Sequence, residues 1–388
     1  MVSKILKKID NKKLLALFFC IFSVIYFVNF ERYNYFFSTD FVKFYKPNGI
    51  IIIEKIINLE FNEINFFSLY LIPKLITGIL LKLTPNESVF STTSNFINII
   101  ALFLSFYFFL KSLFIKKNTI TLIFLFIFFI YVANWEWCLW KLADIYFLFV
   151  FSLVFYFLAN GLYHKNIISI FYGILFSIIS LITKPQGVII LPFFIASLAL
   201  ILFYRENFFK KIIFSFLIYL LFFPLLIFFL IKFNIDNIAV KSFLTGKISW
   251  NIAYTYSQFT EQFNITKDNY AQIIYFYFLL SKKLIYQITF IRETYSFKHN
   301  VFLTTYVLLM YFFLIFNFNY LVKKYNLFLK LTILIIFFAT LLYCSLFTSS
   351  EPNRFQIFYL TPTYVLVSIS IEKFIRDIRF YYKVVKPK

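Results

Sequence analysis

Apolar runs recur along the whole chain, among them Leu14–Phe30, Ile145–Tyr163, Val188–Tyr204 and Leu327–Phe347. Each approaches the ~20 residues that carry a helix across a ~30 Å hydrocarbon core. Of 388 residues, 62% are apolar and 14% charged, against about 45–50% and about 25% in soluble domains. The expected fold is all-α, a polytopic transmembrane helical protein. This excludes a soluble enzyme, a nucleic-acid module and a disordered scaffold. The net charge of +21 is then read first as a topology signal.

Residues 1–388 read as a single transmembrane domain of about ten spans. The first is Leu14–Phe30, behind a Lys-rich N-terminus. The second starts at Thr84-Pro85-Asn86-Glu87, a capping box with Pro at the first helical position, and runs to Phe114. The rest are Thr119–Ala133, Ile145–Tyr163, Ile167–Ile182, Val188–Tyr204, Ile212–Ile231, Val301–Leu321, Leu327–Phe347 and Ile357–Ile371. Lys and Arg are densest in the short connections that fall inside, which predicts both termini in the cytoplasm. Two outer loops are long. Residues 31–87 hold interfacial helices over Ile50–Leu83, and residues 232–300 hold another over Ala271–Ile291, where Lys282-Lys283 at the centre argues against a span.

The rare residues remove further chemistries. Cys20, Cys138 and Cys344 are too scattered for a disulfide framework or a CxxC motif. His164 and His299 fall on opposite sides of the predicted membrane, which argues against zinc and haem sites. The six glycines form no GxGxxG, GxxxxGK or GxxxG pattern, so a nucleotide loop and a glycine-mediated helix pair both lack their residues.

The distinctive polar clusters all fall on the outer side. Thr183-Lys184-Pro185 and Glu351-Pro352-Asn353-Arg354 each read as the start of a helix whose N-terminus faces outward. A helix N-terminus disfavours a cation unless an anion is present, so Lys184 and Arg354 are candidates for a phosphate. Asp40, held near the surface by Phe41, Phe44 and Tyr45, is a candidate base. Trp137 offers a face for a sugar ring, and Glu136 and Asp144 offer carboxylates for its hydroxyls. Lys141 and Glu351 complete the substrate or phosphate set.

Ser38-Thr39-Asp40-Phe41 with Tyr45, Thr183-Lys184-Pro185-Gln186-Gly187, and Glu351-Pro352-Asn353-Arg354-Phe355 followed by Thr361-Pro362 are short motifs. In this layout they resemble the GT-C-type integral-membrane glycosyltransferases. The resemblance implies an inverting enzyme of the bacterial cytoplasmic (inner) membrane, serving cell-envelope polysaccharide synthesis. It would move a sugar from a polyprenyl-phosphate carrier to a lipid or glycan acceptor on the non-cytoplasmic face. Asp40 would be the catalytic base, and Lys184 and Arg354 the carrier-phosphate ligands. No cofactor is implied and no metal ligand is assigned; a divalent metal stays open, because Asp40 has no acidic neighbour between Glu31 and Glu54. The expected partners are the lipid-linked donor, the acceptor and membrane lipids, with no nucleic acid. The alternatives are an O-antigen-type polymerase or ligase, a lipid or solute transporter, and an inactive scaffold.

Overall fold

A computed structural model of the protein describes residues 41–66, 68, 70–113, 143–184, 187, 190–202, 296–346 and 352–385, with scattered positions between 16 and 24 and between 261 and 278. Within the helices, residues 191–192, 199–202, 299, 340–346, 352–359 and 383–385 are described in backbone only. Among the described residues there are helices and turns and no strand, in keeping with the all-α expectation. A π-helical turn, Phe41–Tyr45, leads into α1 (Lys46–Ile57), followed by α2 (Leu71–Leu83), α3 (Glu87–Lys111), α4 (Asp144–His164) and α5 (Ile167–Thr183). Then come α6 (Ile190–Leu202), α7 (Phe297–Phe316), α8 (Phe318–Leu346) and α9 (Pro352–Val385). The expected spans Thr119–Ala133 and Ile212–Ile231, and most of Ala271–Ile291, lie outside the described residues.

Among the described residues, α3 and α4 are each long and apolar enough to cross a membrane. The bent pair Asn300–Phe316 and Phe318–Ala339 makes a third candidate if the two are counted as one span. On α5 and the first half of α3 small and polar side chains take inward positions while large apolar ones face outward. On α5 the small and polar residues Ser169, Gly173, Ser177 and Ser180 face inward. Ile168 and Phe171 face outward, and Ile167 is 80% exposed. Likewise the first half of α3 buries Ser91, Ser94, Asn95 and Asn98 and turns Val89, Phe96 and Ile100 outward, while its second half buries Leu102, Phe106 and Phe109. A surface helix in water would bury the apolar stripe instead.

The hub is α4. It packs antiparallel to α5 across a two-residue connection, Lys165 and Asn166. Asn160 donates to the Ser169 hydroxyl at 2.6 Å, and Phe157 stacks on Phe176. Asn166 caps α5 by accepting from the Ile168 and Ser169 N–H groups. Against α3, by contrast, α4 runs parallel. Ser94 is hydrogen-bonded to Tyr146 near the starts of both helices, and Phe109 packs on Phe151 and Phe155 further along. Phe193 of α6 and Phe328 of α8 close the core against Phe155. Residues 361–372 of α9 are buried on every side.

Three local readings change. Helix α3 is capped by Asn86, whose Oδ1 accepts from Ser88 and Val89 N–H, and not by Thr84. The Thr84 hydroxyl donates back to Leu80 C=O and closes α2. Glycine-mediated helix packing is present without a GxxxG motif: Gly49 of α1 and Gly78 of α2 meet backbone to backbone. A Cβ on Gly78 would lie 2.3 Å from the Gly49 carbonyl oxygen, and one on Gly49 2.5 Å from the Lys74 carbonyl oxygen. The expected span Val301–Leu321 breaks at Asn317, where the chain turns by 90°. Asn317 is buried and donates from Nδ2 to the Ser370 carbonyl at 3.0 Å, which ties the elbow to α9.

Candidate functional site

Asp144 is the first residue of α4, and Lys184 directly follows the last residue of α5. The antiparallel hairpin therefore brings them to the same end, where Lys184 Nζ donates to Asp144 Oδ1. Lys184 is 3% exposed and Asp144 5%. Each charge sits at the helix terminus of opposite partial charge, the carboxylate at an N-terminus and the ammonium at a C-terminus.

The sequence reading takes Lys184 for the start of an outward helix; the structure gives it as the residue that ends α5, and between it and Ile190 only Gly187 is described. The residue before a proline is pushed out of the α region, and Lys184, preceding Pro185, is extended at φ −158° and ψ 150°. Helix α5 ends there, and α6 is described from Ile190. The Gly187 N–H donates to the Lys184 carbonyl at 2.8 Å, closing a four-residue turn. Pro at its second position and Gly at its fourth are the residues such a turn favours. Only glycine fits at the fourth, because a Cβ on Gly187 would lie 2.0 Å from the Ser180 carbonyl oxygen. Thus Thr183-Lys184-Pro185-Gln186-Gly187 is a device that ends a helix and delivers one ammonium into the protein.

Around the pair, Ala143 belongs to a buried cluster with Phe41, Tyr45, Leu80 and Phe90. Phe41 and Phe90 are in ring contact at 5.5 Å. The residue that follows Asp40 in the chain therefore packs in the same cluster as the residue that precedes Asp144. Two residues along α4, Tyr146 is hydrogen-bonded to Ser94. Ser91, Ser94, Asn95 and Asn98 form one buried polar stripe on α3. The sequence reading missed this stripe. Its signal is polar residues at i, i+3, i+4 and i+7 in an otherwise apolar helix, the inverse of the usual amphipathic pattern.

Of the sequence-predicted residues, the structure brings together Asp144 and Lys184. Arg354 lies in the first turn of α9, as expected, with its backbone described. Asp40, Glu136, Trp137, Lys141 and Glu351 lie outside the described residues. A buried ion pair is a costly element whose loss on one side leaves an uncompensated charge, about 3–5 kcal/mol. Neutralised by Asp144, the Lys184 ammonium exerts little net pull on a phosphate; its chemical effect is to fix the ends of α4 and α5 beside the Phe41 cluster. No known protein family, curated protein or solved structure matches the chain.

Proposed function

We propose that the protein is a multi-pass glycosyltransferase of the GT-C type, which takes a sugar from a polyprenyl-phosphate carrier and transfers it to an acceptor at the non-cytoplasmic face of a cell membrane. The observation that carries this reading is the buried Asp144–Lys184 pair, set beside the cluster that includes Phe41. It fixes a polar, charge-balanced end of the bundle next to the segment that bears Asp40. The outward apolar faces of α3 and α5 support a lipid environment. The parallel packing of α3 and α4 supports the larger span number. Leu113 and Ala143 follow and precede helices running in one direction, so they lie at opposite ends of the bundle, and a span at Thr119–Ala133 accounts for the return.

In the reaction, the acceptor oxygen attacks the anomeric carbon while Asp40 takes the hydroxyl proton. The bond from that carbon to the carrier phosphate breaks, and the phosphate oxygen leaves with the bonding pair. Arg354 neutralises the charge that develops on it, and its fork of donors suits two phosphate oxygens. Lys184 and Asp144 act as positioning residues. Trp137, Glu136, Lys141 and Glu351 contact the sugar and the phosphate.

Purified protein is given a synthetic polyprenyl-phosphate sugar together with acceptor lipids. Asp40→Asn is expected to lose transfer with an unchanged melting temperature, because the carboxamide keeps the shape and cannot take the proton. Transfer within threefold of the starting protein would remove Asp40 from the mechanism.

A further inference from the structure

The short helical stretch between the Asn317 elbow and the kink at Tyr325 packs against α9. Tyr320 stands at the centre of this junction. Its hydroxyl accepts from Arg376 at 3.1 Å and from Lys324 at 3.4 Å. Three cations surround its ring: Lys373 at 5.5 Å, Lys324 at 5.7 Å and Arg376 at 5.7 Å from the centroid. The aromatic face and hydroxyl hold these like charges together. Lys323 and Arg379 are exposed on the same two elements, and the acids near the three cations are Asp377, paired with Lys373, and buried Glu372, both of which act on Arg376. Lys324 and Arg376 are exposed, leaving most of this positive charge toward solvent.

Directly beside the cations lies an apolar wall. Phe313 and Phe316 pack edge-on against Phe374, while Ile315, Phe316 and Phe318 expose large apolar area. A free phosphate would use the cations and leave this wall wet. A molecule with an anionic head and acyl chains uses both, as basic pockets between helices do for anionic lipid headgroups.

We infer that the elbow formed by Tyr320, Lys324, Lys373 and Arg376 is a binding site for an anionic phospholipid, with the headgroup phosphate on the Lys324 and Arg376 side and the acyl chains along Ile315, Phe316 and Phe318. The inference depends on the chain lying in a bilayer and not on the transfer reaction.

In the test, the full chain is purified in a neutral maltoside detergent. Its thermal unfolding midpoint is followed while dioleoyl phosphatidylglycerol, dioleoyl phosphatidylcholine or sodium phosphate is titrated. Phosphatidylglycerol is expected to raise the midpoint saturably, and the other two to leave it in place. In Arg376→Gln the half-saturating phosphatidylglycerol concentration should rise roughly tenfold or more, the loss expected for a hydrogen bond to a charged group. The triple variant Lys324→Gln/Lys373→Gln/Arg376→Gln should lose the shift, and Lys55→Gln, a change in α1, should keep it. If the triple variant does not survive purification, the single variant decides. An equal shift with phosphatidylcholine, a shift with phosphate alone, or unchanged saturation in Arg376→Gln would overturn the site. Sugar transfer is assayed separately, so a failed shift leaves the proposed reaction standing.

Discussion

Among single side chains, Asp144 and Lys184 make the most demanding arrangement in the described protein, because both charges are withdrawn from solvent. Asp144→Leu and Lys184→Met should each destabilise by about 3–5 kcal/mol, and the two together should recover most of that loss. Denaturation in mixed micelles measures the cycle, and additive losses would mean that the two groups do not depend on each other. A positioning role adds a separate expectation: the double variant, though stable, should show a lowered kcat for transfer, whereas a purely structural pair should restore kcat along with stability. Gly187→Ala should break the same arrangement from the backbone side, since the added methyl has no room against the Ser180 carbonyl. Half of this site could be read in the sequence. Lys184 and Asp144 both stand out as polar residues at the ends of apolar runs, but their pairing depends on two helix termini meeting, which no spacing along the chain encodes. The sequence reading takes Lys184, with Pro185 after it, as a helix start, and the structure adds that the same residue ends α5.

Individual helices were legible in proportion to how sharply they are bracketed. The run Ile145–Tyr163 becomes Asp144–His164, and Ile167–Ile182 becomes Ile167–Thr183, because polar residues flank an unbroken apolar stretch at both ends. Thr84-Pro85-Asn86-Glu87 offers two capping side chains within four residues, and the choice between them rests on Thr84 being already committed to Leu80. Asn86→Ala should therefore cost ~1 kcal/mol while Thr84→Ala leaves the start of α3 intact; hydrogen exchange across residues 87–91 distinguishes the two. The elbow at Asn317 was hidden because Phe, Tyr and Leu continue through it, so hydropathy shows no interruption. Its cause is a side-chain amide reaching a carbonyl of α9, a contact between parts of the chain far apart in sequence. The crossing of α1 over α2 through Gly49 and Gly78 is of the same kind. Gly78→Val should push these helices apart and lower the melting temperature by several degrees, whereas Val at exposed Ile79 should change little.

For the molecule as a whole, the direction of each helix is a stronger constraint than its length. With α3 starting and α5 ending at the Asp144 end, Glu87 and Lys165 must lie at opposite ends of the bundle. Single cysteines at these two exposed positions should label from opposite sides of a membrane: Glu87→Cys with an impermeant reagent on intact cells, and Lys165→Cys only after permeabilisation. Labelling of both from one side would dismantle the span assignment along with the proposed site. The direction of packing also sets an order of events during synthesis. The α4–α5 hairpin, joined by Lys165 and Asn166, can close as soon as both helices have left the ribosome. The parallel α3–α4 seam has no such shortcut, because α3 must wait for the chain from 112 to 143 to be threaded before it meets its neighbour. A nascent chain whose Gly187 has just cleared the ribosome would therefore already hold the Asp144–Lys184 lock, so this corner is secured before α7, α8 and α9 have emerged.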